Sequence, residues 1–257
     1  MDSHDRPGGL GDQTQPIRRA LPKMDEQYGS KPAPRPGQGY LSYTYYRRIL
    51  DQKMTQVTAG LEGLVLDVGG EWHSRRGTFR PPKRPDLSWV CINIDSSALP
   101  DVIADAAYVP CADGCADAVI CTEVLEHVAE PEAVIFEAYR LLRSGGIFVL
   151  SMPFIGHVHA DPFDFQRYTA TKLRLVLSQA AFHDIEIDPM GHYYAVLCEM
   201  IKGALARLRP TVLRWMLAAP IVPIFNTLVT RELRPGYIPS SYMQGYTLGY
   251  FAKAVKP

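Results

Sequence analysis

An excess of charge of either sign is missing from this sequence: 27 Lys and Arg balance 27 Asp and Glu, so the formal net charge is zero. A protein that coats nucleic acid carries a basic excess, and a disordered chain pairs a large net charge with few apolar residues. With 47% hydrophobic residues, this chain fits neither description. Cysteine is scarce as well. Cys91, Cys111, Cys115, Cys121 and Cys198 are odd in number, and Cys111 and Cys115 have no second pair at zinc-site spacing, so they read as reduced thiols with no metal site. No internal repeat is visible, and the first residues lack the apolar stretch of a secretory signal, so a cytoplasmic location is expected. A chain of 257 residues suits one large decorated domain or two small ones.

Large apolar residues are almost absent from residues 1–39, which hold six Pro and six Gly. Such a segment cannot bury enough surface to offset the entropy of ordering, and a flexible N-terminal tail is expected, followed by one folded domain over 40–257. Pro and Gly vanish from 40–58, where Tyr40, Tyr43, Tyr45, Tyr46, Leu50 and Met54 predict a helix with a Tyr-rich face packed on the core. Short β-branched runs at 64–68, 89–94, 102–104, 117–121 and 146–150 predict buried strands. Between the last two, 131–142 carries apolar residues at helical spacing, with Pro131 at its entry and Gly145 and Gly146 beyond its end. A helix at about 170–180 and strands at 182–187 and 246–255 follow, the last two strands separated by a mostly helical insertion at about 189–244. The alternation predicts an α/β fold with a mostly parallel sheet covered on both faces. Pro81, Pro82 and Pro85 and the missing helical period over 71–88 leave the first crossover as a short helix or a loop.

The first strand delivers Asp67, Gly69 and Gly70 to its C-terminal end, and the second ends in Asp95. In an open α/β sheet, ligands bind beyond the strand C-termini, where glycine lets backbone amides approach and an acidic residue accepts from both hydroxyls of a ribose. Val65-Leu-Asp-Val-Gly69, Ile92-Asn-Ile-Asp95, Ile103-Ala-Asp105-Ala106, the run from Asp117 through Thr122-Glu123-Val-Leu-Glu126-His127-Val128, and Leu141-Leu-Arg-Ser-Gly-Gly-Ile-Phe-Val-Leu150 follow one another in an informative order. Over about residues 60–190 and the final strand, this order resembles the class I S-adenosylmethionine-dependent methyltransferases, of the methyltransferase type 11 kind. The resemblance implies a Rossmann-like, seven-stranded, mostly parallel sheet with helices on both faces and a helical insertion before the last strand. It also implies S-adenosylmethionine as cofactor: Gly69 and Gly70 under its methionine end, Asp67 ordering that loop, Asp95 on the ribose, Asp105 and Ala106 at the adenine, Thr122 and Glu123 on the floor.

The sequence departs from that family in one place. Glu71 and His73 stand where its pattern has a second and a third glycine. A catalytically inactive binding relative is therefore the alternative, and a nicotinamide-dependent oxidoreductase a weaker one, because no G-x-G-x-x-G follows the first strand. Nucleic acid is not an expected partner, since Thr122-Glu123-Val124 occupies the position of an Asn-Pro-Pro-Tyr base-flipping motif.

After the fifth strand, polar side chains crowd 151–169. His159 is the candidate general base, its ordinary pKa of about 6.5 suiting proton abstraction near neutrality, with Asp161 orienting it. His157, Asp164, Arg167 and Tyr168 are candidate substrate contacts; the competing reading is an ion pair between Asp164 and Arg167, a packed Tyr168 and a helix cap at Thr169. Segments of this H-x-D-P-x-D-F-x-R-Y-T kind resemble those of bacterial small-molecule and glycan-pathway members of the family, which implies O- or N-methylation of a small-molecule or glycan-type acceptor. The loop at 71–89 carries a net charge of +3, and 201–234 carries six basic residues against Glu232 alone. The 19-residue apolar run at 212–230 is interrupted by Arg214, Pro220 and Pro223, which argues against a membrane span. A helical cap or homodimer interface, a lid over a phosphorylated or lipid-linked substrate, and a peripheral membrane contact remain as its readings.

Overall fold

The computed structural model describes residues 39–72, 77–158 and 163–257; residues 1–38 of the expected tail lie outside the described residues. Two helices come first, α1 (Gly39–Ser42) and α2 (Tyr45–Thr58). The single helix anticipated over 40–58 is broken because the Thr44 hydroxyl accepts from the Arg47 amide at 3.0 Å and starts a new helix there. Then follow β1 (Gly63–Val68), β2 (Leu87–Asn93), β3 (Val102–Ile103), β4 (Ala116–Thr122), α3 (Pro131–Leu141), β5 (Leu142–Pro153), α4 (Ala170–Gln179) and β6 (His183–Pro189). The insertion comprises α5 (Tyr193–Ala206), α6 (Thr211–Glu232) and α7 (Ser241–Gln244), and β7 (Gly249–Val255) closes the fold. No helix occurs among the described residues between β1 and β2, in line with the prolines there.

The sheet runs β3-β2-β1-β4-β5-β7-β6, parallel from β3 to β5, with β7 antiparallel between β5 and β6. This is the Rossmann-like arrangement expected. Successive strand residues face opposite layers, so Leu66, Val119, Cys121, Phe148 and Leu150 pack under α3 and α4, while Val65, Ala118, Ile120 and Val149 pack under α2 and α5. Both faces of β4 are therefore dry, and residues 118–121 are fully buried. Val119 and Ile120 each stabilise the fold by roughly 1.5–3 kcal/mol through this burial.

At the N-terminal edge of the sheet, Asp117 joins three strands. One carboxylate oxygen accepts from the Leu64 amide at 2.7 Å and the other from Arg143 at 2.6 Å, and the guanidinium holds the Asp117 carboxyl below the usual range. In the insertion, the buried Glu232 carboxylate accepts from the amides of His192 (3.0 Å), Tyr194 (2.9 Å) and Ala195 (3.0 Å), capping the start of α5. These ties hold the sheet edge and the insertion, leaving the C-terminal ends of β1, β2, β4 and β5 as the functional rim.

Candidate cofactor and active site

The turn after β1 places Gly69 at φ +80°, a conformation that favours glycine, and a Cβ there would meet Val124 Cγ2 at 2.3 Å. The Gly69 amide donates to the Ile92 carbonyl at 2.7 Å, which ties the turn to β2. A Cβ on Gly70 would lie 2.6 Å from the Asp67 carboxyl carbon, so this side chain sits directly against the loop. Asp67 is 5% exposed and accepts from Trp89 Nε1 at 3.0 Å. Asn93 at the end of β2 donates to the Gly70 carbonyl at 3.0 Å. Of the two residues that replace family glycines, Glu71 is half-buried and His73 lies outside the described residues.

Beyond β2, Asp95 is exposed and begins a short 3-10 turn over Ser96–Ala98. Its two oxygens accept from the amide and the hydroxyl of Ser97, each at 2.8 Å, which leaves a lone pair on each for a hydroxyl donor. Asp105 accepts from the Ala107 amide at 2.9 Å in a tight turn, with Ala106 half-buried beside it. Around these two acids Ile94, Ile103 and Tyr108 stand 63%, 63% and 80% exposed. Apolar surface left open beside unsaturated acceptors suits a purine face and a ribose, so the residues present fit an adenosine-bearing cofactor.

The floor is formed where β4 ends. Thr122 is half-buried, and Glu123 adopts φ +59°, a strained position for a residue with a Cβ. Glu123 Oε1 accepts from the Tyr46 hydroxyl and from Ser151 Oγ at 2.9 Å, so α2 and β5 hold it in place. Burial, and then the Glu123 charge, push the Tyr46 phenol well above its usual pKa and keep it a proton donor. Glu126 is fully buried, and neither of its oxygens has a hydrogen-bond partner among the described residues. Burial first, then the Glu123 charge, raise its carboxyl to about 9, so it is a neutral acid at pH 7. Sequence reasoning assigned no site role to Tyr46, Ser151 or Glu126; the only signal was the Glu-x-x-Glu spacing from Glu123 to Glu126.

Residues 163–166, within the polar segment after β5, strap over this floor. Phe163 O accepts from His127 Nδ1 at 2.5 Å, the Phe165 amide donates to Glu126 O at 2.8 Å, and Gln166 donates to Val128 O at 2.7 Å. Two of the motifs singled out in the sequence are thereby brought together. His157 is exposed near the start of the polar segment, while His159 and Asp161 lie outside the described residues. Asp164 is held by both terminal nitrogens of Arg167, one contact measuring 2.6 Å, and the two side chains are 4% and 19% exposed. Tyr168 is buried with its hydroxyl donating to Glu132 at 2.8 Å, and Thr169 caps α4 by accepting from the Lys172 amide at 3.2 Å. These last residues brace the rim in the described geometry.

Residues 85–150 match the family model described as a methyltransferase domain. Over these residues, which run from just before β2 into β5, the chain is similar to a methyltransferase domain. In fold, it is similar to phosphoethanolamine N-methyltransferase 2 of Haemonchus contortus in complex with S-adenosyl-L-methionine, at a TM-score of 0.51 and 13% identity. That superposition covers 83% of this chain and 56% of the Haemonchus chain, so this chain spans little more than half its length. It is also similar to an Archaeoglobus fulgidus S-adenosylmethionine-dependent methyltransferase (TM-score 0.50, 15% identity, 82% of this chain and 94% of that one). The SpnF [4+2]-cyclase shares the fold too (TM-score 0.51, 18% identity, 82% and 81% covered). No curated protein matches the chain in sequence. At these identities the structures show a common fold, and the reaction follows from the site rather than from the fold.

Proposed function

We propose that this chain transfers a methyl group to an oxygen or nitrogen of a small-molecule or glycan-type acceptor, with His159 as the general base. The observation that carries the reading is the open rim at β1 and β2. There a tight glycine turn, the exposed Asp95 carboxylate and bare apolar side chains lie together at the strand ends. Asp67, Gly69 and Gly70 would border the methionine end of S-adenosylmethionine, Asp95 its ribose, and Asp105 and Ala106 its adenine, with Thr122 and Glu123 beneath. When bound, this cofactor supplies an electrophilic methyl group on a sulfonium, which becomes a neutral thioether as the methyl leaves.

The protein's part is to orient the acceptor atom in line with that methyl group and to accept its proton. His159 takes the proton in this reading, oriented by Asp161. Its support is chain connectivity: Ser151 in β5 is bonded to Glu123 and Phe163 to His127, so both described flanks of the segment that contains His159 meet the floor. His157, Asp164, Arg167 and Tyr168 belong to the same polar segment, and the basic loop before β2 favours an anionic acceptor. The chain acts in the cytoplasm in this account. His159→Ala should lower turnover by roughly 100-fold or more with cofactor affinity unchanged; wild-type turnover in that variant would remove the base.

A further inference from the structure

The insertion presents a second feature that methyl transfer does not use. A cavity of about 390 Å³ lies between the start of α2, α5 and the second half of α6, lined by Tyr43, Tyr45, Arg48, Lys202, Asn226 and Thr230. Its walls are built: the Tyr45 hydroxyl donates to Asn226 Oδ1 at 3.0 Å and Arg48 donates to Thr230 Oγ1 at 3.1 Å. Lys202 is 4% exposed, donates to the Tyr43 carbonyl at 2.6 Å and lies 4.7 Å from the centre of the Tyr45 ring. Among the described residues, neither Arg48 nor Lys202 forms an ion pair. The nearby carboxylate, Glu199, is engaged by the Tyr45 amide at 2.6 Å. Glu199 also acts on Lys202 as an opposite charge, so one carboxylate stands against two cations, and the remaining positive charge at the cavity suits an anionic occupant.

The surface beside the cavity indicates the source of that anion. Ala218, Val222, Val229 and Glu232 form one buried stripe along α6, so the helix lies lengthwise against the protein with its other sides outward. Val212, Leu213, Trp215, Met216, Leu217 and, on α5, Met200 are between 38% and 69% exposed. By length and composition alone α6 would cross a membrane, with mean hydropathy 1.6 over a window only 17% buried. Its docked stripe and Pro220 and Pro223 suit instead a helix lying at a membrane surface. The surrounding charge has one sign: between residues 200 and 234 the only carboxylate is the buried Glu232, against six basic residues. A second copy of the chain would bring the same basic face, whereas an anionic bilayer is complementary to it.

We propose that this cavity seats the headgroup phosphate of an anionic phospholipid, and that the outward apolar side of α5 and α6 rests in the bilayer surface presenting it. The test is co-sedimentation of the full chain with vesicles of phosphatidylcholine alone and of phosphatidylcholine with about one third phosphatidylglycerol. The expected results are about tenfold stronger binding to the anionic vesicles, and a roughly fivefold loss in Arg48→Gln, which leaves a half-buried neutral side chain and a wild-type melting curve. Lys202→Gln should weaken binding similarly, and Trp215→Ser with Met216→Ser by about tenfold. Equal binding to both vesicles, or full binding by Arg48→Gln and Lys202→Gln, would overturn the proposal. Two further results would also overturn it: stabilisation by free inorganic phosphate without sedimentation, or a dimer that Trp215→Ser with Met216→Ser dissolves and that ignores vesicles.

Discussion

Glu126 is the residue whose cost can be worked from its surroundings. Its carboxyl is fully buried without a hydrogen-bond partner among the described residues, and is raised from 4.5 to about 9. In the unfolded chain it releases its proton near 4.5, and in the fold it retains it, so stability is highest below pH 4.5 and falls as pH rises towards 9. Each pH unit in that window costs about 1.4 kcal/mol, which makes the loss at pH 7 about 3 kcal/mol, a figure that depends only on the folded value lying above 7. Glu126→Gln matches the shape and polarity of the neutral acid but has no proton to retain. Compared with the wild type, the variant should be about equally stable at pH 4.5 and about 3 kcal/mol more stable at pH 7, roughly 6–12 °C in Tm for a domain of this size. Urea denaturation at several pH values between 4.5 and 8.5 reads this directly. Parallel pH profiles for wild type and variant would show that Glu126 is ionised in the fold or paired there, and the reasoning would fail.

Gly69→Ala forces a side chain into a left-handed turn against Val124 and should cost about 1–3 kcal/mol while abolishing S-adenosylhomocysteine binding; wild-type denaturation and binding curves would refute it. Arg167→Ala removes two charge-assisted hydrogen bonds to the buried Asp164 carboxylate and should destabilise by about 1.5–3 kcal/mol, with Arg167→Lys recovering part of this loss. A loss below about 1 kcal/mol would mean that the pair is better solvated than its burial implies.

The central strands were legible because burial on both faces gives β4 an unbroken apolar run, and the acids at the ends of β2 and β3 follow from the strand boundaries. β5 is longer than its apolar segment, starting at Leu142 rather than 146. Gly145, at φ +74°, and Gly146 stay in the strand because the amide of one and the carbonyl of the other pair with Lys256 beyond β7, a partner more than a hundred residues away. The face of α6 was not readable, since the helix is apolar on every side and only the docked stripe distinguishes them. The Tyr46 to Glu123 contact joins residues 77 apart, and a fully buried glutamic acid such as Glu126 runs against the usual exposure of that residue type. Asp164 and Arg167 were legible as polar neighbours three residues apart, with an ion pair among their stated alternatives.

The rim beyond β1 and β2 is expected to hold the adenosyl cofactor despite Glu71 and His73 in place of glycine. Isothermal titration with S-adenosylhomocysteine addresses it most directly, using the wild type and Asp95→Ala. One binding site per chain in the wild type is expected, weakened by roughly tenfold or more in Asp95→Ala, where two hydroxyl acceptors are lost. Absence of binding by the folded wild type at millimolar ligand, or equal affinity in the two proteins, would contradict it.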